Sequence, residues 1–168
     1  MVFAGTIEAK LDAKGRVFFP SEFRRQLTEG EAELVLQRDL HQPCLVVYPA
    51  SVWLKEVEQL RKNINRWQPR EAMVFRQFLA SAQNISLDAN GRMLIPRKLA
   101  ECCGLDHTVC FIGVYDRVEI WSAEKMSEAF LNPQDLSETM ADLSTTWALE
   151  IPASAVAVDT TLSEDGHQ

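Results

Sequence analysis

One short motif occurs twice in this chain, so the fold must provide an equivalent place for two copies. LDAKGRVFFPSEFRRQL occupies residues 11–27, and LDANGRMLIPRKL occupies residues 87–99. Six residues match identically at an offset of 76: the Leu, Asp and Ala that open each copy, then Gly, Arg and Pro. A second pair of segments, CLVVYPASVW and RVEIWSAEKM, aligns at an offset of 73. The repeat predicts two related halves, which are too few copies for a solenoid.

Each copy has the pattern of a strand, a tight turn, a second strand and a short helix. Apolar and polar residues alternate over 7–11 and again over 85–87, as in half-buried strands. Gly15 and Gly91 stand where a tight turn needs a residue that accepts positive φ. We therefore predict a hairpin in each copy, closed by backbone N–H bonds to the aspartate three residues before the glycine.

A proline follows each apolar triplet, and proline suits the first turn of a helix. We predict short helices over 21–28 and 97–103, ended by Gly30 and Gly104. Two further strands complete each half. They cover residues 33–37 and 44–49 in the first half, and residues 108–114 and 117–121 in the second.

Helical spacing of apolar residues predicts three longer helices, over 51–64, 69–82 and 135–147. Ser51 is the expected N-cap of the first, and residues 151–168 are expected to form a loose tail. The predicted fold class is α+β, mainly β. The predicted domains are a first repeat over 1–68, a second repeat over 69–131 and an acidic C-terminal helix and tail over 132–168.

Composition narrows the class of protein. No apolar run approaches the ~20 residues needed to span a bilayer, and the first ten residues lack the layout of a secretory signal, so we expect a soluble cytoplasmic protein. The cysteines form no C-x-x-C pair, so we expect buried thiols and neither a metal nor a cofactor. We also interpret the tryptophans as packing residues. These cysteines and tryptophans are Cys44, Cys102, Cys103, Cys110, Trp53, Trp67, Trp121 and Trp147.

The net charge of −7, taken alone, disfavours nucleic acid. However, residues 121–168 hold one Lys against nine Asp or Glu, whereas residues 1–120 hold 16 Lys or Arg against 15 Asp or Glu. The acidity is therefore a C-terminal property, and clustering of cations in the remainder decides what the chain can bind.

Arg16 and Arg92 are the candidate functional residues, because each follows a tight turn and lies four residues after an aspartate. The planar guanidinium fork suits phosphate, and it also reads guanine in the major groove. We expect Asp12 and Asp88 to hold these arginines in one rotamer. The tip and the adjoining helix of each copy are expected to place further cations on one surface. These are Lys14, Arg24 and Arg25 in the first copy, and Arg97 and Lys98 in the second.

A structural interpretation of the same residues stays open. Asp-x-x-Gly-Arg is a common turn, and an Asp–Arg pair across it can serve the fold alone. Recurrence does not decide between the two, because a duplicated fold repeats its structural residues as well. An enzyme is not favoured, since the sequence has no G-x-S-x-G, Walker-type or H-E-x-x-H motif.

Over residues 1–125 these segments resemble the MraZ family of bacterial transcriptional regulators. The doubled Asp-x-x-Gly-Arg motif, with a proline after each copy, is the specific part of this resemblance. A single copy would indicate only the wider group of swapped-hairpin barrels, which includes AbrB-type regulators and MazE-type antitoxins. The resemblance implies two swapped-hairpin half-domains that form a pseudo-dimeric barrel with flanking helices.

The resemblance also implies partners. These are double-stranded promoter DNA with direct repeats, upstream of the cell-division and cell-wall gene cluster, and other copies of the chain in a ring-like homo-oligomer at the nucleoid. It assigns the DNA-contacting role to Asp12 and Arg16, and to Asp88 and Arg92. The alternative is an antitoxin-like protein-binding module that uses the C-terminal helix.

Overall fold

The computed structural model describes residues 2–27 and 33–150, and side chains as far as residue 147. It divides into two compact units, Met1–Glu128 and Ala129–Gln168. The elements are β1 (Phe3–Lys10), β2 (Arg16–Phe18), α1 (Ser21–Arg24), β3 (Leu34–Arg38), β4 (Leu45–Pro49), α2 (Ala50–Asn63), α3 (Pro69–Ala80), β5 (Gln83–Ile85), β6 (Arg92–Leu94), α4 (Arg97–Cys102), β7 (Thr108–Tyr115), β8 (Arg117–Ser122), α5 (Ala123–Ala129) and α6 (Pro133–Glu150).

Six strands form one sheet in the order β1-β7-β8-β4-β3-β5, and β2 pairs with β6 in a separate ribbon. All these pairings are antiparallel. When β5–β8 are exchanged for β1–β4, the order reads the same from the other end. The sheet thus has the internal symmetry that the repeat predicts. Its order leaves β1 and β5 as edges, so the described strands do not close a barrel.

The predicted hairpins are wrong in their strand partners. β1 pairs with β7 of the other repeat, from Phe3 opposite Tyr115 to Lys10 opposite Thr108. In the same way β5 pairs with β3. The turn itself does form, since Asp12 N–H donates to the Arg16 carbonyl at 2.9 Å. The two strands separate beyond it because β2 continues along β6 rather than along β1.

The main core is built from both repeats. Each apolar triplet buries its first and third residues: Val17 and Phe19 in one copy, Met93 and Ile95 in the other. The Phe19 ring meets the Phe111 ring edge-on at 5.9 Å between centroids, an arrangement that aromatic pairs favour. Because side chains of both copies fill one cluster, the two repeats share this core.

The helices agree with the sequence prediction in position and differ at their ends. α2 begins at Ala50 after Pro49 with no side-chain cap, so the prediction of Ser51 as N-cap is wrong. Gly104 has a φ of 62° just after α4, as expected for a helix stop. The helix α5 was not predicted, although Ser122 caps it by accepting the Lys125 N–H at 3.1 Å. Predictions for Thr28, Gly30 and residues 151–168 lie outside the described residues.

Exposure corrects two expectations. Trp121 is buried and Trp53 is half-buried against the core, but Trp67 is 81% exposed and Trp147 is also exposed. The packing role assigned to the last two is therefore wrong within each unit. Cys102 is exposed as well, in contrast to the other three cysteines, which are buried as free thiols. Burial raises the pKa of the Cys103 thiol to about 11, as expected of an unreactive packing residue.

A buried glutamine attaches the two bridging helices to the sheet. Gln37 lies in β3, and its amide donates to the Phe78 carbonyl and to Ser81 Oγ, each at 2.7 Å. Its Oε1 accepts the Trp53 indole N–H at 3.1 Å. One side chain therefore binds groups on α2 and at the end of α3, and its own polar atoms are satisfied.

We expect Gln37→Met to lower the free energy of unfolding by about 2 kcal/mol, because methionine fills the space but leaves the partly buried Trp53 N–H without its hydrogen-bond acceptor. Urea denaturation would measure the change. Gln83→Met, at an exposed position of β5, is the matched control and should change the stability by less than about 0.5 kcal/mol. Equal losses in the two variants would show that the Gln37 hydrogen bonds contribute nothing specific.

Candidate nucleic-acid interface

The first motif turn is closed by the carboxylate of Asp12. Its Oδ1 accepts the backbone N–H of Lys14 and of Arg16, each at 2.9 Å. Its Oδ2 accepts Nε–H of the Arg16 side chain at 2.8 Å. Gly15, with a φ of 81°, completes the turn in a region that other residues rarely adopt. The carboxylate thus organises both the turn and the guanidinium.

The second turn has the same geometry. Asp88 Oδ1 accepts the N–H of Asn90 and of Arg92 at 2.9 Å, and its Oδ2 accepts Arg92 Nε–H at 2.8 Å. Gly91 has a φ of 80°. The pKa of both aspartates lies below the ordinary value, first because of the backbone N–H of the following arginine, and also because of its side chain. Both carboxylates are therefore held in the charged form.

The turn of each repeat is hydrogen-bonded to the backbone of the other repeat. Ile95 N–H donates to the Gly15 carbonyl at 2.7 Å, and Phe19 N–H donates to the Gly91 carbonyl at 3.0 Å. These bonds extend the β2–β6 ribbon, in which Arg16 lies opposite Leu94 and Phe18 lies opposite Arg92. Both turns and both arginines therefore belong to one continuously hydrogen-bonded piece of backbone.

The alternation of this ribbon places both arginines on its outer face. Val17 and Met93, at the centre of the ribbon, are buried, so their strand neighbours project the opposite way. The side chains of Arg16 and Arg92 are 38% and 27% exposed. Both line one groove together with Phe18. The structure therefore brings the two predicted arginines onto one surface.

The supporting cations are exchanged between the copies. A Cβ at Gly91 would overlap the Arg24 guanidinium, so this first-copy cation covers the second turn. Arg97 of the second copy lines a groove with Lys14 and Gly15 of the first. The exchange follows from the crossing of β2 and β6, because each strand delivers its following helix to the opposite turn.

The other predicted cations are exposed but differ in their partners. Arg97 forms an ion pair with Glu101 at 2.7 Å, and Arg25 Nε–H donates to the Ser21 carbonyl at 3.3 Å. Lys14 and Lys98 are exposed. The second tip has Asn90 where the first has Lys14, so the two ends of the surface differ by one cation.

Sequence reasoning missed two side chains of this surface. Phe18 and Leu94 are 58% and 55% exposed on the same strand face as the arginines. The sequence prediction treats them only as members of apolar triplets and does not distinguish one member from another. Strict alternation along the return strand was a partial signal, since it places the middle residue of each triplet on the opposite face from the first and third residues.

Two other kinds of site are absent from the described part of the chain. Within residues 2–27 and 33–150, no group of three or more His, Cys, Asp or Glu side chains is arranged to hold a metal ion. Over the same residues, no helix is both long and apolar enough to cross a membrane.

The fold and the site define a tandem-repeat protein whose exchanged strands form one ribbon with paired Asp–Arg turns. The family model described as "MraZ protein, putative antitoxin-like" matches residues 2–77 and again 78–143. The chain therefore belongs to the MraZ family. The division at 68/69 suggested by the sequence stays a prediction.

Curated relatives support the same membership. A transcriptional regulator MraZ of Bacteroides fragilis is 42% identical over 142 residues, covering 84% of this chain and 90% of the relative. The protein of the same name from Phocaeicola vulgatus is 44% identical over 144 residues, covering 85% and 94%. That of Erwinia tasmaniensis is 33% identical over 152 residues, covering 85% and 99%.

Because the pKa values of Asp12 and Asp88 are lowered, we expect the stability of the fold to depend on these carboxylates in a pH-dependent way. A carboxylate whose pKa is lower in the folded state than its unfolded value of about 4 stabilises the fold at pH values above about 4. This stabilisation is lost as the pH falls through the folded-state pKa. Asp12→Asn with Asp88→Asn should therefore be less stable than wild type at neutral pH, and the difference should shrink below about pH 4. Urea denaturation across pH would measure both.

The control carries Glu58→Gln and Asp106→Asn, which remove the same charge from exposed positions outside the motif turns. The difference between the free energies of unfolding of this control and of wild type should vary less with pH. A constant difference between wild type and the Asp12/Asp88 variant down to about pH 2 would contradict a role of the charged carboxylates in closing the turns.

Proposed function

We propose that this chain is a cytoplasmic, nucleoid-associated, non-enzymatic transcription regulator that binds double-stranded DNA in a sequence-specific way. The main supporting observation is the pair of arginines fixed by carboxylates on the outer face of one two-stranded ribbon. A ribbon of this kind fits the major groove of B-DNA. The relatives named transcriptional regulators support the same proposal.

The chemistry of the pair suits base and phosphate recognition. Each ion pair uses Nε, which is one of five donors on the guanidinium, so the others remain for a ligand. Because Asp12 and Asp88 already fix the rotamers, little side-chain entropy is lost on binding. We assign the essential contacts to Arg16 and Arg92, and the positioning of the turns to the two aspartates with Gly15 and Gly91. Supporting phosphate contacts are assigned to Lys14, Arg24, Arg25, Arg97 and Lys98.

We further propose that copies of the chain associate in a ring and bind directly repeated boxes upstream of the cell-division and cell-wall gene cluster, as the resemblance implies. A single ribbon offers few contacts, whereas linked ribbons gain affinity without new ones. Cyclic head-to-tail symmetry suits direct repeats. A groove between α2 and α3 supports self-association, since it exposes Trp67 beside Ile64 and Phe75.

An antitoxin-like protein-binding module is the second candidate. The family description contains that term, and α6 exposes an apolar stripe at helical spacing, formed by Leu136, Met140, Leu143 and Trp147. This candidate predicts that the stripe, and not the arginine pair, determines what the protein binds.

We expect Arg16→Ala with Arg92→Ala to weaken binding to the duplex upstream of the protein's own gene by about 100-fold or more, because each well-placed arginine contributes ~1–3 kcal/mol of base discrimination. Fluorescence anisotropy at several salt concentrations, beside a scrambled duplex, would measure the loss. The slope against salt should also fall as phosphate contacts are removed.

The matched control is Lys55→Ala with Lys62→Ala, which removes equal charge from exposed positions of α2. It should keep nearly full discrimination between the native and scrambled duplexes. If the arginine variant is folded, keeps its oligomeric state and binds with unchanged affinity, the assignment of the site is wrong.

The repeat arrangement is testable separately. A duplex with all boxes should bind ~100-fold tighter than a duplex of equal length with one box. Adding about half a helical turn between boxes should remove the gain, because neighbouring ribbons would then face different sides of the DNA. The same insertion outside the boxes is the control. A monomer by light scattering, or a gain that survives the insertion, would overturn the ring proposal.

A further inference from the structure

Two large apolar side chains lie exposed beside Arg16 and Arg92 on the outer face of the β2–β6 ribbon. Phe18 and Leu94 are each more than half exposed, although their chain neighbours Val17 and Met93 are buried. Single exposed apolar side chains are common on protein surfaces and need no explanation. A pair of them between charged groups on one face indicates a contact surface. The proposed contacts of the arginines do not explain this pair.

The register of the ribbon arranges these side chains in a fixed pattern. Leu94 lies directly opposite Arg16, and Phe18 lies directly opposite Arg92. Side chains opposite each other on one strand face are separated by ~5 Å at Cβ. The Arg92 guanidinium carbon lies 6.0 Å from the centroid of the Phe18 ring, which favours a cation–π contact. The outer face is therefore a square, with arginines on one diagonal and apolar groups on the other.

The charges around the square restrict the ligand. Asp12 and Asp88 are its adjoining carboxylates, and each is bonded to an arginine. Glu8 and Lys10 line the same groove with opposite charges. A ligand that offered only phosphate would satisfy the arginines but leave Phe18 and Leu94 against an anionic backbone. A base-pair edge in the major groove offers both kinds of group, since guanine presents two acceptors and thymine presents a C5-methyl group.

We propose that Phe18 and Leu94 are specificity-determining residues that read thymine by contact with its C5-methyl group, each next to a base read by the arginine opposite. This inference rests on the proposed DNA-binding function. It makes the recognised box a combination of guanine and thymine steps. Phe18 is an aromatic ring and Leu94 is a branched aliphatic chain. The two strands of the ribbon therefore differ in where they can accept a thymine methyl group.

The test compares the native upstream duplex with one in which deoxyuridine replaces thymine within the boxes. The replacement removes the methyl group and keeps the phosphates and the base pairing. Full-length wild-type protein should bind the uracil duplex about 4-fold more weakly for each thymine methyl that the protein buries, the scale expected for removing one buried methyl group. Phe18→Ala with Leu94→Ala should weaken binding to the native duplex to a similar extent and show little further weakening on the uracil duplex.

Leu40→Ala is the control, because Leu40 is a large exposed apolar residue outside the ribbon. It should keep the wild-type sensitivity to the methyl group. A change in groove shape caused by deoxyuridine would affect the Leu40 variant and the Phe18/Leu94 variant alike. Loss of methyl sensitivity in the Phe18/Leu94 variant alone therefore indicates direct contact with the methyl group. Unchanged unfolding curves for both variants would show that the fold is intact.

The outcomes separate the inference from the function on which it rests. If wild type binds both thymine and uracil duplexes equally, and far more tightly than a scrambled duplex, the methyl-reading role is wrong and DNA binding stands. If the Phe18/Leu94 variant keeps the full sensitivity to methyl removal, the methyl groups are read elsewhere and the inference also fails. If wild type does not distinguish the native from the scrambled duplex, the proposed function fails and the inference fails with it.

Discussion

The pairing of β2 with β6 is the constraint on which the rest of the structure depends. Three residues of each repeat form a ribbon, and the glycine carbonyls of the two turns extend it at 2.7 and 3.0 Å. Because this ribbon crosses from one repeat to the other, β1 pairs with β7 and β5 pairs with β3. The same crossing places Arg24 over Gly91 and Arg97 beside Lys14. Core, sheet order and cation placement therefore have one common cause.

Local features of this fold were predictable from the sequence, and partners in space were not. Turn glycines, aspartate caps and prolines act within a few residues, and the structure shows Gly15, Gly91 and both aspartates as expected. Which strand pairs with which depends on contacts between residues that are far apart in sequence, such as Phe3 with Tyr115 and Leu34 with Ile85, and alternation alone does not specify them. The exposure of Trp147 was missed for a related reason, since helical spacing does not show whether a partner covers the apolar stripe.

The candidate site shows the same division. The Asp–Arg pairs were predicted from spacing, because a tight turn brings residues i and i+4 together. The sequence did not indicate that α1 and α4 lie beside the turn of the opposite copy, because this placement follows from the pairing of β2 with β6. Phe18 and Leu94 were missed although alternation determines their direction. The missing knowledge was the position at which the strand begins, because a shift of one residue would reverse which members of the triplet are buried.

The purely structural interpretation of the Asp–Arg pair now meets a specific difficulty. Asp12 already closes the first turn by accepting two backbone N–H groups, and the backbone adds its own bonds from Asp12 and Gly15. The guanidinium of Arg16 adds only an ion pair between half-exposed groups, and such pairs contribute ~0–1 kcal/mol to stability. Two long cationic side chains, each held by a carboxylate on the outer face of a shared ribbon, therefore support the proposal that Arg16 and Arg92 contact a ligand.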